Sequence, residues 1–201
     1  GTNRAGDASS LNVIGAIYTY TPFAGIWVTN GSTHNLIGTN SDNQGDSDER
    51  NVIAGYASNQ IRIGDAIDSS YPPSQYNQVS GNYVGINAAG TAAVVSDYFW
   101  YNGGVHISTG ASHNVVGTNG DGMNDLGERN VIAGNAICDV CVVGDDNRVS
   151  GNYIGVNAAG TDVISAGNPY RTHIAVGELS SPALRNIIGT NGDGISDEWE
   201  G

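Results

Sequence analysis

The chain has 201 residues, 39% of them apolar, with 30 Gly, 23 Asn and a formal net charge of -13 from 20 acids against seven Arg and no Lys. This is too apolar for a disordered chain, too rich in turn formers for long helices, and long enough for one sizeable domain or two. The charge leaves no basic footprint for nucleic acid or an anionic membrane and favours cations, and no apolar run of about 18 residues is present to insert in a bilayer.

Taken in chain order, the first unit offers GIWV (25–28), NLIG (35–38), NVIAG (51–55), IRIG (61–64), NQVSG (77–81) and NYVGIN (82–87). Each is short, rich in Val and Ile, and bounded by Gly or Asn, which predicts strands with turns between them. The pieces recur. GTNRAGDAS at 1, GINAAGTAA at 85 and GVNAAGTDV at 155 are one motif, and VSGNYVG (79–85) returns as VSGNYIG (149–155). HNLIGTN (34–40), HNVVGTN (113–119) and RNIIGTN (185–191) form a further series, and RNVIAG occurs at 50 and 129. The chain therefore divides into repeat units 1–84, 85–154 and a partial unit 155–201 of a single domain.

Six short strands per unit without a hairpin pattern predict two three-strand rungs of a coil, about five to six rungs in all, whose stacking buries an apolar column that no single rung could bury. The fold class expected is all-β, a right-handed parallel β-helix. An antiparallel β-sandwich is the alternative, and near-identical repeats favour the solenoid. The Asn before each apolar pair (Asn35, Asn51, Asn77, Asn114, Asn130, Asn147, Asn186) suits a left-handed corner, and stacked amides can hydrogen-bond from rung to rung.

The combination of NVIAGN, VSGNYIG and NAAGT resembles the Gly- and Asn-rich right-handed parallel β-helix repeats of bacterial surface proteins, within the pectate-lyase-like class of folds. The resemblance covers nearly the whole chain. It implies an extracellular or cell-surface location and a structural or adhesive role, such as a filament or surface-layer subunit. The same architecture also carries polysaccharide-binding and polysaccharide-cleaving proteins.

Three segments share the pattern N-x-D-[GN]-x-x-D-x-x-E: Asn40, Asp42, Asp46 and Glu49; Asn119, Asp121, Asp125 and Glu128; Asn191, Asp193, Asp197 and Glu200. The pattern overlaps the calcium loop D-x-[DN]-x-[DN]-G-x5-E from its third position onward. Asn and the first Asp would supply side-chain oxygens, and Gln44, Met123 and Ile195 a backbone carbonyl. The second Asp would act directly or through water, with Glu closing the loop. TNGDGISDEWE also resembles thrombospondin type 3 repeats. Up to three Ca²⁺ ions are thus expected along one edge, where unneutralised carboxylates would repel each other. The first ligand position, however, holds Gly38, Gly117 and Gly189, which have no side-chain oxygen.

Aromatic residues gather in two insertions, Tyr18, Tyr20, Phe23 and Trp27, then Tyr98, Phe99, Trp100 and Tyr101, with Tyr170 alone in the third unit. They suit an edge cover or a contact surface for glycans or another subunit. His34 and His113 align with Arg185, and His106 and His173 align with Trp27, which predicts exposed columns and no metal site. Cys138 and Cys141 stand three apart, as one buried and one surface thiol or as a local bulge closed by a disulfide.

The sequence predicts no enzyme: acids recur with the repeat, no Lys or repeat-independent base stands out, and Arg50 and Arg129 after each loop Glu suggest a structural ion pair. Ice binding would need a dense threonine array, and only Thr39, Thr118 and Thr190 recur. Both termini cut the repeat, so the expected partners are neighbouring repeats of a longer chain or further copies of this one.

Overall fold

The computed structural model describes residues 12–15, 24–64, 72–95, 103–169, 171–178 and 182–190, with fifteen strands and no helix among them. The strands are β1 (Asn12–Gly15), β2 (Ala24–Val28), β3 (Leu36–Gly38), β4 (Asn51–Ala54), β5 (Asn59–Ile63), β6 (Gln78–Ser80), β7 (Tyr83–Val84) and β8 (Val105–Ile107). Then follow β9 (Val115–Gly117), β10 (Val131–Ile132), β11 (Cys138–Val142), β12 (Arg148–Ser150), β13 (Tyr153–Ile154), β14 (Thr172–Val176) and β15 (Ile187–Ile188). They form three five-stranded sheets, β1-β4-β7-β10-β13, β2-β5-β8-β11-β14 and β3-β6-β9-β12-β15. Every strand pairs in parallel with the third strand before it or after it, so the chain visits the three sheets in fixed rotation through five circuits.

The register stacks like on like. Ile14, Ile53, Val84, Ile132 and Ile154 form one column of the first sheet. Ile26, Ile61, Val105, Val140 and Ile174 form a second, with Val28, Ile63, Ile107, Val142 and Val176 beside it. Ile37, Val79, Val116, Val149 and Ile188 form the fourth. Ile53, Ile61, Ile63, Val84, Val105, Ile107, Ile132 and Val140 are fully buried in one apolar core. Each such side chain contributes about 1.5–3 kcal/mol by leaving water, and β-branched residues fit the stacked pleat.

Two asparagine ladders hold the corners of this column. In one, Asn35, Asn77 and Asn114 each give their backbone and amide N–H to the Oδ1 of the next member, through Asn147. Asn147 gives its backbone N–H to Asn186. In the other, Asn51, Asn82 and Asn130 do the same as far as Asn152. The second amide hydrogen satisfies a carbonyl of the preceding circuit, as Asn114 does with Ser74 and Asn82 with Ile37. Rung-to-rung amide bonding is thus as expected, but the asparagines split between two corners, and Asn82 and Asn152 belong to the set.

The left-handed residue at the first corner is not the Asn but the one before it. His34, Tyr76, His113, Asp146 and Arg185 all have φ near 57°. Their side chains make an outer column: His34 stacks on Tyr76 at 5.3 Å, Tyr76 meets His113 at 5.0 Å, and Arg185 pairs with Asp146 at 2.6 Å. The described NAAGT segments, 87–91 and 157–161, are closed by side-chain bonds of their own. Asn87 Oδ1 accepts the N–H of Thr91, Asn157 does so for Thr161, and each segment folds back over the outside of the first sheet. There Ile86, Val131, Ala133 and Ile164 form a second apolar cluster.

Candidate metal centre

The carboxylate loops join the third sheet to the first. Loop one runs from Thr39 after β3 to Arg50 before β4, and loop two from Thr118 after β9 to Arg129 before β10. They share one internal frame. Asn40 Oδ1 accepts from Asp42 N and Asp42 Oδ1 from Gln44 N, at 3.0 and 2.8 Å. Asn119 accepts from Asp121 N and Asp121 from Met123 N, both at 2.8 Å. Glu49 and Glu128 close their loops by accepting the backbone N–H of Asn40 and Asn119, each at 2.8 Å. These are the successive Asx turns that Asn and Asp favour.

Thr39 and Thr118 were not among the expected loop residues, yet each braces its loop. Their hydroxyls donate to Asp46 and Asp125 at 2.8 Å and accept the N–H of Ser41 and Gly120. Both threonines are buried and therefore form no exposed array. The signal was present in the sequence, since Thr recurs in every GTN segment.

The loops also touch each other. Ser41 of loop one donates to Glu128 Oε1 of loop two at 3.0 Å, and Gln78 of the intervening circuit donates to the same oxygen at 3.0 Å. Asn124 of loop two donates to Asp46 Oδ2 at 2.6 Å. Glu128 is 1% exposed, and this burial raises its pKa against the lowering effect of Asn119, Ser41, Thr118 and Gln78.

The oxygen-poor first position has a steric cause. Gly38 and Gly117 have φ of 109° and 100°. A Cβ on either would collide with the backbone oxygen of Ser80 or Ser150 and with the ladder amide of Asn82 or Asn152. No side chain fits there, so no carboxylate can serve at that position. Asn191, Asp193, Ile195, Asp197 and Glu200 lie outside the described residues. Among the described residues, no three His, Cys, Asp or Glu side chains converge as a metal-holding group. A calcium loop would therefore lean on the Asn amide oxygens and main-chain carbonyls as well.

No family model, curated protein or solved structure matches the chain. What it can do must be read from its own side chains.

Arg50 and Arg129 do not clasp the loop glutamates. Each lies over a tyrosine ring, Tyr83 and Tyr153 respectively, 4.2 Å from its centroid, and donates through Nε to the carbonyl of Gly81 or Gly151. The two stacks, with Asp46 and Leu126, line a cleft of about 290 Å³ beside the loops.

His34, His113 and Arg185 do share a column, but His106 and His173 do not. His106 continues the column Trp27–Arg62–His106–Cys141–Ala175. It is not exposed: its side chain is 16% accessible, and burial, then the charge of Arg62, lowers its pKa to about 4. His173 instead sits two residues before that column, against Asp139 of β11, with Nδ1 2.7 Å from Oδ2. Asp139 is fully buried, and desolvation raises its pKa although Asn135 and His173 stabilise its charge. Of the aromatic insertions, Trp27 is described, in β2, where its indole donates to Gly64 O at 3.0 Å; Tyr18, Tyr20, Phe23, Tyr98, Phe99, Trp100, Tyr101 and Tyr170 lie outside the described residues. Cys138 and Cys141 are joined as a disulfide. Their Cα atoms are 5.9 Å apart, well short of the roughly 10 Å that three strand residues span, so β11 bends there.

Proposed function

We propose that the chain is a right-handed parallel β-helix acting as an extracellular structural or adhesive element stabilised by Ca²⁺. The observation that carries the calcium reading is the identical hydrogen-bonded frame of two loops that differ in their intervening residues. Asn40, Asp42, Asp46 and Glu49 would hold one ion with the Gln44 carbonyl; Asn119, Asp121, Asp125 and Glu128 would hold another with that of Met123. The third loop would supply Asn191, Asp193, Ile195, Asp197 and Glu200. Bound Ca²⁺ would draw the loop carboxylates together and cross-link each loop, which has little apolar core of its own. The disulfide supports an oxidising compartment.

A scaffold role is supported by exposed apolar side chains on the last two strands, Val176 on β14 and Ile187 and Ile188 on β15. A neighbouring repeat or a second copy of the chain would cover them, and end-to-end stacking would build a filament. The test is a melting curve with Ca²⁺ and with EDTA, paired with calorimetric titration of the ion and light scattering. A higher Tm with Ca²⁺ supports the reading, and an unchanged curve refutes it.

A polysaccharide-binding or polysaccharide-cleaving β-helix is the second reading. The Arg50–Tyr83 and Arg129–Tyr153 stacks in one cleft favour it, because they offer cations and ring faces to an acidic glycan. A glycan array and a lyase assay on acidic polysaccharides separate the two readings.

A further inference from the structure

The Cys138–Cys141 bond joins two residues of one strand, with a sequence separation of 3, and ties no circuit to another. A disulfide stabilises largely by closing a loop in the unfolded chain, and the gain falls as the loop shortens. This loop is nearly the shortest possible, so stability gives little reason for it.

Its surroundings give a better one. Both cysteines line a cleft of about 210 Å³ whose walls include Gly103, His106 and Glu178. Cys138 is 1% exposed whereas Cys141 is partly accessible, so an incoming sulfur meets Cys141 first. His106 lies in register with Cys141 on the adjoining strand. Gly103 stands beside Cys138: a Cβ there would lie 3.6 Å from Cys138 Sγ and 2.6 Å from Asn59 Oδ1. The missing side chain leaves space beside Cys138 Sγ, into which that sulfur can move when the bond opens.

We propose that Cys138–Cys141 is a thiol–disulfide exchange site for dithiols, attacked at the accessible Cys141, with Cys138 leaving into the space beside Gly103. One thiolate of the dithiol bonds to Cys141 Sγ as the Cys138–Cys141 bond breaks. Cys138 leaves as a thiolate and takes a proton from solvent. The second thiol of the dithiol then loses its proton, attacks its own partner sulfur in the mixed disulfide, and releases Cys141 as thiolate. The dithiol is oxidised by two electrons and the protein disulfide is reduced.

Dithiothreitol is the probe, applied to the full chain without denaturant, with alkylation mass spectrometry as the readout and circular dichroism to follow the fold. The bond should be reduced while the circular dichroism stays unchanged. Gly103→Ala should slow reduction about threefold and Gly103→Val tenfold or more, with both variants folded by the same spectrum. In single variants, Cys141 left by Cys138→Ser should react with an aromatic disulfide reagent at least tenfold faster than Cys138 left by Cys141→Ser. Reduction only at the rate of global unfolding, equal rates for Gly103→Ala and wild type, or equal reactivity of the two lone thiols would each overturn the proposal.

Discussion

The hydroxyl of Ser41 donates to the carboxylate of Glu128 at 3.0 Å across a sequence separation of 87 residues. One carboxylate loop is thereby tied to the next, and a glutamate that is 1% exposed is kept solvated by protein groups instead of water. Replacing Ser41 by Ala removes one of the side-chain donors that Glu128 keeps. A hydrogen bond to a charged group contributes about 1.5–3 kcal/mol, so S41A should lose about 2 kcal/mol in urea unfolding at neutral pH. Ser47→Ala, an exposed change in the same loop, should alter stability by less than about 0.5 kcal/mol.

The ladder makes a position-dependent prediction. Asn114 is fully buried, accepts two N–H groups from Asn77 and gives its amide to Ser74 and Asn147. Asn114→Ala leaves several buried groups without partners and should cost about 3–5 kcal/mol in chemical denaturation. Asn35, exposed at one end of the ladder, should cost under about 1.5 kcal/mol on the same change.

Gly117 and Gly110 are both left-handed, with φ of 100° and 82°, but only Gly117 faces backbone where a Cβ would stand. Gly110→Ala should therefore cost about 1–2 kcal/mol, the ordinary penalty for an L-residue in that region. Gly117→Ala should cost several times more, and thermal melts of the two variants decide the matter. Equal losses would show that the Ser150 carbonyl yields easily.

His106 predicts how stability responds to acid. Its folded pKa of about 4 lies below the 6.5 of an unperturbed histidine, so the unfolded chain binds its proton first. The stabilisation is complete above pH 6.5 and is lost as pH falls toward 4, by about 3 kcal/mol. Glu178, 3.9 Å away with a side chain 63% exposed, is too well solvated to retain the proton. Asp139, with a raised pKa, acts in the opposite sense in acid. The difference between wild type and His106→Gln, followed by urea unfolding from pH 7 to 4, isolates the histidine, and parallel curves would contradict the assignment.

Much of the architecture was legible because stacking forces each circuit to repeat its inward Val and Ile and its corner Asn. The carboxylate loops were legible for the same reason. What escaped had no shared chemistry. His34, Tyr76, His113, Asp146 and Arg185 share a backbone conformation and an outer column but no residue type, so no residue type announced the left-handed corner. The bond from Asn124 to Asp46 depends on which loops come to lie beside each other, a fact of stacking and not of spacing. The repeat alignment made His106 and His173 equivalent, whereas the register puts His173 two residues earlier, beside Asp139.

The asparagine ladder is also a device for tolerating uneven chain. Its consecutive members are separated by 42, 37, 33 and 39 residues, yet each backbone N–H meets the next Oδ1 at 2.8–3.0 Å. Connections of different length between the corners leave the stacking of the described strands untouched. A duplicated or deleted unit would therefore meet a ready-made docking face on either side. Growth of such a gene by unequal recombination needs no new interface to be invented, and variation is channelled into the outward loops, where recognition can diverge.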